Sequence, residues 1–188
     1  MANGFKNASL RNIAAAAGLT TGAIFGYFKN KNAIFEALVN PVCEQVEMLF
    51  SNLAETYYDE DGTARQISMK KSMADLRLIY DLAYEHLDEF RLLVCCAEGS
   101  TKEDFVHTII DYEIANSRAY IEGLKKAGKA NVCIDDITLH ILCDSYINSL
   151  LEPVRHNMSY DDAIKNVEFL CVFYTGGWEA VFNSLPGA

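Results

Sequence analysis

The chain has 188 residues, 51% of them hydrophobic and only 3 of them proline, and it carries a net charge of −10. That length holds one mid-sized domain plus a small one, and the composition suits all-helical packing around a sizeable core. No window approaches roughly twenty uncharged apolar residues and the start shows no signal-peptide pattern, which excludes a membrane-spanning helix and leads us to expect a soluble, cytoplasmic protein with no membrane partner.

The first forty residues are the most informative. Ser9 is placed to cap a helix by accepting an orphan backbone N–H, and the alanine run after Ile13 lets a second helix approach closely. Gly18 ends that helix, because the left-handed turn costs glycine almost nothing. Thr20 caps the next helix, in which Ala23, Ile24 and Phe28 fall on an inward face while Thr21, Gly26, Tyr27 and Lys29 fall outward. Asn30 then caps a longer helix that opens with Lys31. Two short helices across a glycine corner are a helix-turn-helix, a device that reads DNA with its second helix.

Charge supports this division. Residues 1–40 hold Lys6, Arg11, Lys29 and Lys31 against Glu36, whereas the remainder is strongly acidic. The whole-chain charge argues against nucleic acid, since phosphate neutralisation needs Lys and Arg. A small basic head on an acidic body is the distribution expected of a DNA reader with a separate partner domain.

The run Ile13-Ala14 to Gly18, then Thr20, Gly22, Phe25, Phe28 and Lys31, resembles the DNA-binding domain of the TetR/AcrR family of bacterial transcriptional regulators. The resemblance implies that the second of these helices enters the major groove, that Phe25 and Tyr27 position the DNA backbone, and that Lys31 meets a phosphate. It implies DNA contacts at Arg11, Thr20, Thr21, Gly26, Tyr27, Lys29 and Lys31, the threonines nearest base edges. Three departures stand out. Phe25 replaces a usual tyrosine and so lacks its hydroxyl; Gly26 costs roughly 1 kcal/mol of helix propensity. Family members also carry a full helix before the equivalent of Gly4, and here Asn3-Gly4 reads as that helix's end with its glycine cap, so most of the first helix is expected to be lacking and Met1 to be internal to a longer protein. Without that helix, Ile13, Phe25 and Phe28 would lose cover worth roughly 1.5–3 kcal/mol each.

Along the body the apolar period is helical nearly everywhere. One long segment runs from Lys31 to about Tyr58, with Pro41 expected to kink it and provide a hinge. Asp59-Glu60-Asp61-Gly62 is a break, after which Thr63 and Gln66 form a capping box for a helix to about His86. Asp88 is expected to cap Glu89 to Ala97, with Gly99 closing it. Ser100 or Thr101 opens a helix to Lys125-Lys126, whose charges suit a helix C-terminus before Gly128. Asp135 begins a helix through about Arg155, and Ser159 with Asp162 caps a last one to about Phe182, in which Gly176-Gly177 would allow close approach or break the helix.

The expected architecture is all-α and TetR-like, with a helix-turn-helix DNA-binding domain at 1–45 and a ligand-binding and dimerisation domain at 46–188. The last two helices carry more apolar surface than one stripe needs, and in the resembled family the corresponding pair forms a four-helix dimer interface, which assigns Ile141, Leu170, Tyr174, Trp178 and Val181 to a homodimer contact. The family also places a ligand cavity in the body; its expected lining is Tyr80, Tyr84, Cys95, Cys96, Tyr112 and Tyr146, which fits an apolar or aromatic small-molecule effector. The six cysteines lack CxxC or framework spacing and read as buried reduced thiols. His107 with Asp111 and His140 with Asp144 share helix faces, but hydrogen bonding is the expected use and no metal or cofactor is assigned. No nucleophile elbow or phosphate loop is present, so no enzyme activity is expected. The resulting expectation is a ligand-responsive repressor that reads a palindromic operator DNA as a homodimer; the alternative is a small-molecule-binding helical dimer that no longer binds DNA.

Overall fold

Side-chain caps set the boundaries of the N-terminal elements in the computed structural model, which describes residues 4–184. A single helical turn, α1 (Gly4–Asn7), precedes α2 (Leu10–Ala16), α3 (Thr21–Tyr27) and α4 (Lys31–Glu55). Ser9 Oγ accepts from Asn12 N at 3.1 Å, Thr20 Oγ1 from Ala23 N at 3.1 Å and Asn30 Oδ1 from Ala33 N at 2.9 Å, so each expected cap forms. Gly18, at φ +68°, closes α2. Its N–H reaches the Ala15 carbonyl and the Leu19 N–H reaches back to Ala14, the paired bonds of a Schellman motif. Gly4 has φ +60° and starts α1, while the Asn3 half of the expected cap lies outside the described residues.

The body continues with α5 (Met69–Glu85), α6 (Leu87–Cys95), α7 (Phe105–Lys126), α8 (Asp136–Arg155) and α9 (Tyr160–Ser184). Asp135 and Ser159 cap α8 and α9 as expected: Asp135 accepts from Thr138 N at 2.9 Å and Ser159 from Asp162 N at 3.2 Å. Three starts differ from expectation. Thr63 caps nothing, because its own N–H is held by Asp61 Oδ1 at 3.0 Å within a tight reversal that pairs Tyr58 with Ala64. The helix waits for Ser68, which accepts from Lys71 N at 3.2 Å. Asp88 is not a cap but lies in the first turn of α6, which follows α5 after a one-residue corner at His86. Ser100 and Thr101 belong to a turn before α7, where Glu103 Oε2 accepts from Gly99 N at 2.9 Å instead of opening the helix. Helix α4 continues through Pro41 and α9 through Gly176-Gly177.

Helix α8 is the spine on which the other body helices pack. Val154 near its end joins Phe5, Phe35, Val39, Val42 and Phe90 in a core that ties α1, α4 and α6 together. Leu150 packs with Tyr80 of α5 and Val167 and Cys171 of α9, and Ile147 and Leu151 pack with Ile109 and Ile110 of α7. Leu139 and Cys143 meet Ile121 and Val132 with Trp178, Val181 and Phe182 of α9 against them. Among the described residues there is no strand beyond the isolated Tyr58–Ala64 bridge, so the all-α reading holds.

Candidate nucleic-acid interface and ligand cavity

The head packs α3 against α2, where Ala14 is the one buried alanine of its run. Ala14 of α2 and Ile24 of α3 are each buried, and the small side chain at Ala14 lets the two helices close. What remains outward is a strip formed by Thr20, Gly22, Phe25, Gly26, Tyr27 and Lys29, with Thr21 half-buried at its start. Tyr27 is 84% exposed, an unusual placement for an aromatic ring that has no partner to cover it within the chain. Arg11 is exposed on α2. The strip has a helix N-terminus, hydroxyls, an exposed ring and flanking cations, which are the parts that phosphate and base-edge contacts require.

Lys31 does something else. Its Nζ donates to the carbonyls of Phe5 at 2.6 Å, Ala8 at 3.0 Å and Lys6 at 3.3 Å, and it lies 4.2 Å from the centroid of the Phe5 ring. An ammonium has three N–H donors, so its capacity is matched by the carbonyls ending α1. Lys31 thus forms an internal clasp between α1 and α4 where a phosphate contact was expected. The same junction binds the head to the turn after α6: Phe5 N donates to Cys96 O at 2.8 Å, Lys6 Nζ pairs with Glu98 Oε1 at 2.6 Å, and Thr101 donates through N to Asn32 at 3.1 Å and through Oγ1 to Glu36 at 2.7 Å.

Within the body a cavity of about 260 Å³ opens between α4, α5, α7, α8 and α9. Its walls are mainly aliphatic and aromatic, and its polar lining includes Tyr57, Asp75, Glu113, Asn116, Ser117, Lys129 and Glu179. Asp75 is buried but served, since Lys71 pairs with it and the Tyr57 hydroxyl donates to it at 3.3 Å. Glu113 accepts only from Ser117 Oγ, at 3.0 Å, and has no ion pair among the described residues. Burial pushes its carboxyl up to about 7, with the Ser117 bond opposing. The phenols of Tyr57 and Tyr146 are pushed far up by burial and then by neighbouring carboxylates, so both stay neutral donors.

Residues 1–38 match the profile described as "Bacterial regulatory proteins, tetR family". The match covers the head alone, from α1 to the first turns of α4. A solved structure of a TetR-family transcriptional regulator from Mesorhizobium loti is similar over 94% of this chain and 89% of its own, with 15% identity and a TM-score of 0.51, and it shares the fold from head to last helix. The head match supports a DNA-binding transcriptional regulator, and the structural likeness carries the all-α fold alone. No helix of the described residues is long and apolar enough to cross a membrane.

The expected pocket residues divide. Tyr80 and Tyr146 line the cavity. Tyr84 instead spends its hydroxyl on the Met158 carbonyl at 3.1 Å and packs beside Tyr160. Cys96 lies at the head junction, Cys95 is exposed, and Tyr112 borders a separate surface cleft, so these four leave the lining. Cys133 is exposed as well; the expectation of uniformly buried thiols holds for Cys43, Cys96, Cys143 and Cys171 alone. Glu113, Tyr57 and Ser117 were not singled out in the sequence; a Glu and a Ser four apart on an otherwise apolar helix face is the signal that could have found them.

The interface residues also divide. Leu170 packs in the α5–α9 core, Trp178 and Val181 pack against Ile121 and Cys143, and Tyr174 lies in the cavity wall with its ring 4.9 Å from that of Tyr146. Those four face their own body, because α9 carries two apolar stripes and these belong to the inner one. Ile141 is outward, as are Ile137 on the same helix and Phe169, Val172 and Phe173 on α9. Gly176 and Gly177 continue that outer stripe with no atom within 4 Å of where a Cβ would stand. No group of three or more metal-ligating side chains is found among the described residues.

Proposed function

We propose that this chain is a cytoplasmic, ligand-responsive repressor that reads a palindromic operator as a homodimer. One observation carries the reading: α4 is a single helix whose first turns hold the head and whose later turns, at Val46, Leu49, Phe50 and Leu53, form a wall of the cavity. A ligand that prefers one position of this wall must bias the head by its differential affinity, and DNA must bias the ligand equally. The clasp between α1, α4 and the 96–101 turn gives a second contact, since Phe90 of α6 also lines the cavity.

DNA contact is assigned to Thr20, Thr21, Gly26, Tyr27 and Lys29 on α3 and its end, and to Arg11 on α2. None of the α3 residues is a guanidinium, so base readout rests on hydroxyls, the exposed ring and DNA shape. Dimerisation is assigned to the outer stripe of α8 and α9, which would set two heads on one duplex. No catalytic step is assigned to any residue.

Mobility-shift titration of the full chain against the DNA flanking its own reading frame, repeated over a salt series, tests this. Specific retardation that weakens with salt is expected. Binding of small molecules without retention of any such DNA would overturn the repressor reading in favour of a ligand-binding dimer.

A further inference from the structure

The cavity's charges are lopsided. Its lining holds three carboxylates, Asp75, Glu113 and Glu179, against one lysine, and Lys129 Nζ is already committed to the Ala64 carbonyl at 2.9 Å. It holds no arginine and no histidine. Asp75 has its own cation in Lys71. Glu113 has a hydroxyl on one oxygen and nothing on the other among the described residues, and its open surface is the part that faces the cavity. A carboxyl kept in an apolar chamber without a cation is a standing cost.

Resting on the reading of this cavity as the effector site, we infer that the effector is an apolar or aromatic body bearing an ammonium, whose charge is received by Glu113. An anionic ligand would meet three carboxylates and no free cation. An ammonium finds one unpaired carboxylate and the ring faces of Tyr57, Tyr146, Tyr174 and Trp178 along the same chamber, where cation–π attraction adds to ion pairing. The aliphatic remainder of the wall receives the apolar body.

The wild-type protein then couples binding to a proton. The groups around Glu113 are Ser117 and Tyr120 on its own helix, Tyr57 at the end of α4, Asp75 with Lys71 on α5, Cys143 and Tyr146 on α8, Glu179 on α9 and Lys129 beyond α7. With the Glu113 carboxyl near 7, most molecules present a neutral acid at pH 6 and a carboxylate at pH 8. Ammonium affinity therefore rises about tenfold between those pH values, while the affinity of a neutral analogue does not rise.

Three probes of one shape, 1-naphthylmethylamine, 1-naphthalenemethanol and 1-naphthoic acid, test this by calorimetry with the full chain. Trp178, the chain's single tryptophan, lines the cavity, so its quenching reports where they bind. The amine is expected to bind at least about tenfold more tightly than the alcohol at pH 8, with the acid weakest. Glu113→Gln should erase the amine's advantage and its pH dependence, and Glu113→Asp should keep both. Alcohol bound as tightly as amine, a flat pH profile for the amine, or an amine preference that survives Glu113→Gln would overturn the ammonium assignment while leaving the cavity as the effector site. Failure of all three probes to bind or to quench Trp178 would overturn the cavity reading itself.

Discussion

An acid half-buried in an apolar cavity without a cation lowers stability when it ionises, and Glu113 shows the direction. Its folded-state carboxyl is pushed up to about 7 from an ordinary 4.5, mainly by burial. Between those values the folded chain holds a proton that the unfolded chain has released, so stability falls as pH rises from about 4.5 to 7 and then levels off. The penalty above pH 7 is on the order of 3 kcal/mol. Urea unfolding at pH 8 should find Glu113→Gln more stable than wild type by roughly 2–3 kcal/mol. The gap should close by pH 5, and a pH-independent gap would show that Glu113 is not the titrating group. Two glycines make an opposite pair. A Cβ at Gly26 meets nothing within 4 Å, so Gly26→Ala should stabilise the chain by about 0.5–1 kcal/mol. A Cβ at Gly123 would stand 2.8 Å from that of Ala64, so Gly123→Ala should cost about 1–3 kcal/mol despite better helix propensity. The same unfolding curves measure both. Propensity alone ranks these two sites equally, because the approach of α7 to the Tyr58–Ala64 reversal is a tertiary fact. The burial of Glu113 is of the same kind, and this is why the sequence reading found the aromatic wall at Tyr80 and Tyr146 but not the acid between them.

Helices whose ends are fixed by their own neighbours were legible. Ser9, Thr20, Asn30, Asp135 and Ser159 each cap within three residues, and Gly18 closes α2 through bonds no longer than five residues. Starts decided by competition were not: Thr63 had the spacing of a capping box, but Asp61 took its N–H first. Lys31 belongs to this second class, because its partners are carbonyls more than twenty residues away that only exist once α1 has folded against α4. Its role can be separated from that of Lys29. Removing a phosphate contact flattens the dependence of log K on log salt by about one per charge. Lys29→Ala should do so, whereas Lys31→Met should leave the slope unchanged and destabilise the head, because three carbonyls lose their charged donor, a loss of roughly 1–3 kcal/mol. A slope reduced equally by both substitutions would return Lys31 to the DNA.

At the scale of the whole molecule, the question is what covers the outer stripe of α8 and α9. Phe169 is 74% exposed, Ile137 73% and Phe173 66%, and Ile141 and Val172 are exposed with them on the same two helices. An isolated body would leave these side chains in water, where a contiguous apolar patch marks an interaction site. The sequence showed that the last two helices carry more apolar surface than one stripe needs, but not which residues turn inward. The inner stripe is Leu170, Tyr174, Trp178 and Val181, held by Tyr146, Cys143 and Ile121, which leaves Phe169, Val172, Phe173 and the Gly176-Gly177 pair as the contact of the proposed dimer. Small residues at the centre let two α9 helices approach closely, while the phenylalanines at one end supply area. Phe169→Glu combined with Phe173→Glu places two like charges in that contact and touches no buried core residue, so the double variant should keep its helical signal and melting cooperativity yet sediment as a monomer. Loss of the dimer removes the second head from the duplex, and with it the avidity of two linked half-site contacts, worth at least tenfold in operator affinity. Binding of the naphthyl amine at Glu113 should persist, since the cavity is built within one chain. A double variant that remains dimeric would place the interface elsewhere, and a monomer that binds the palindrome as tightly as wild type would separate dimerisation from DNA reading.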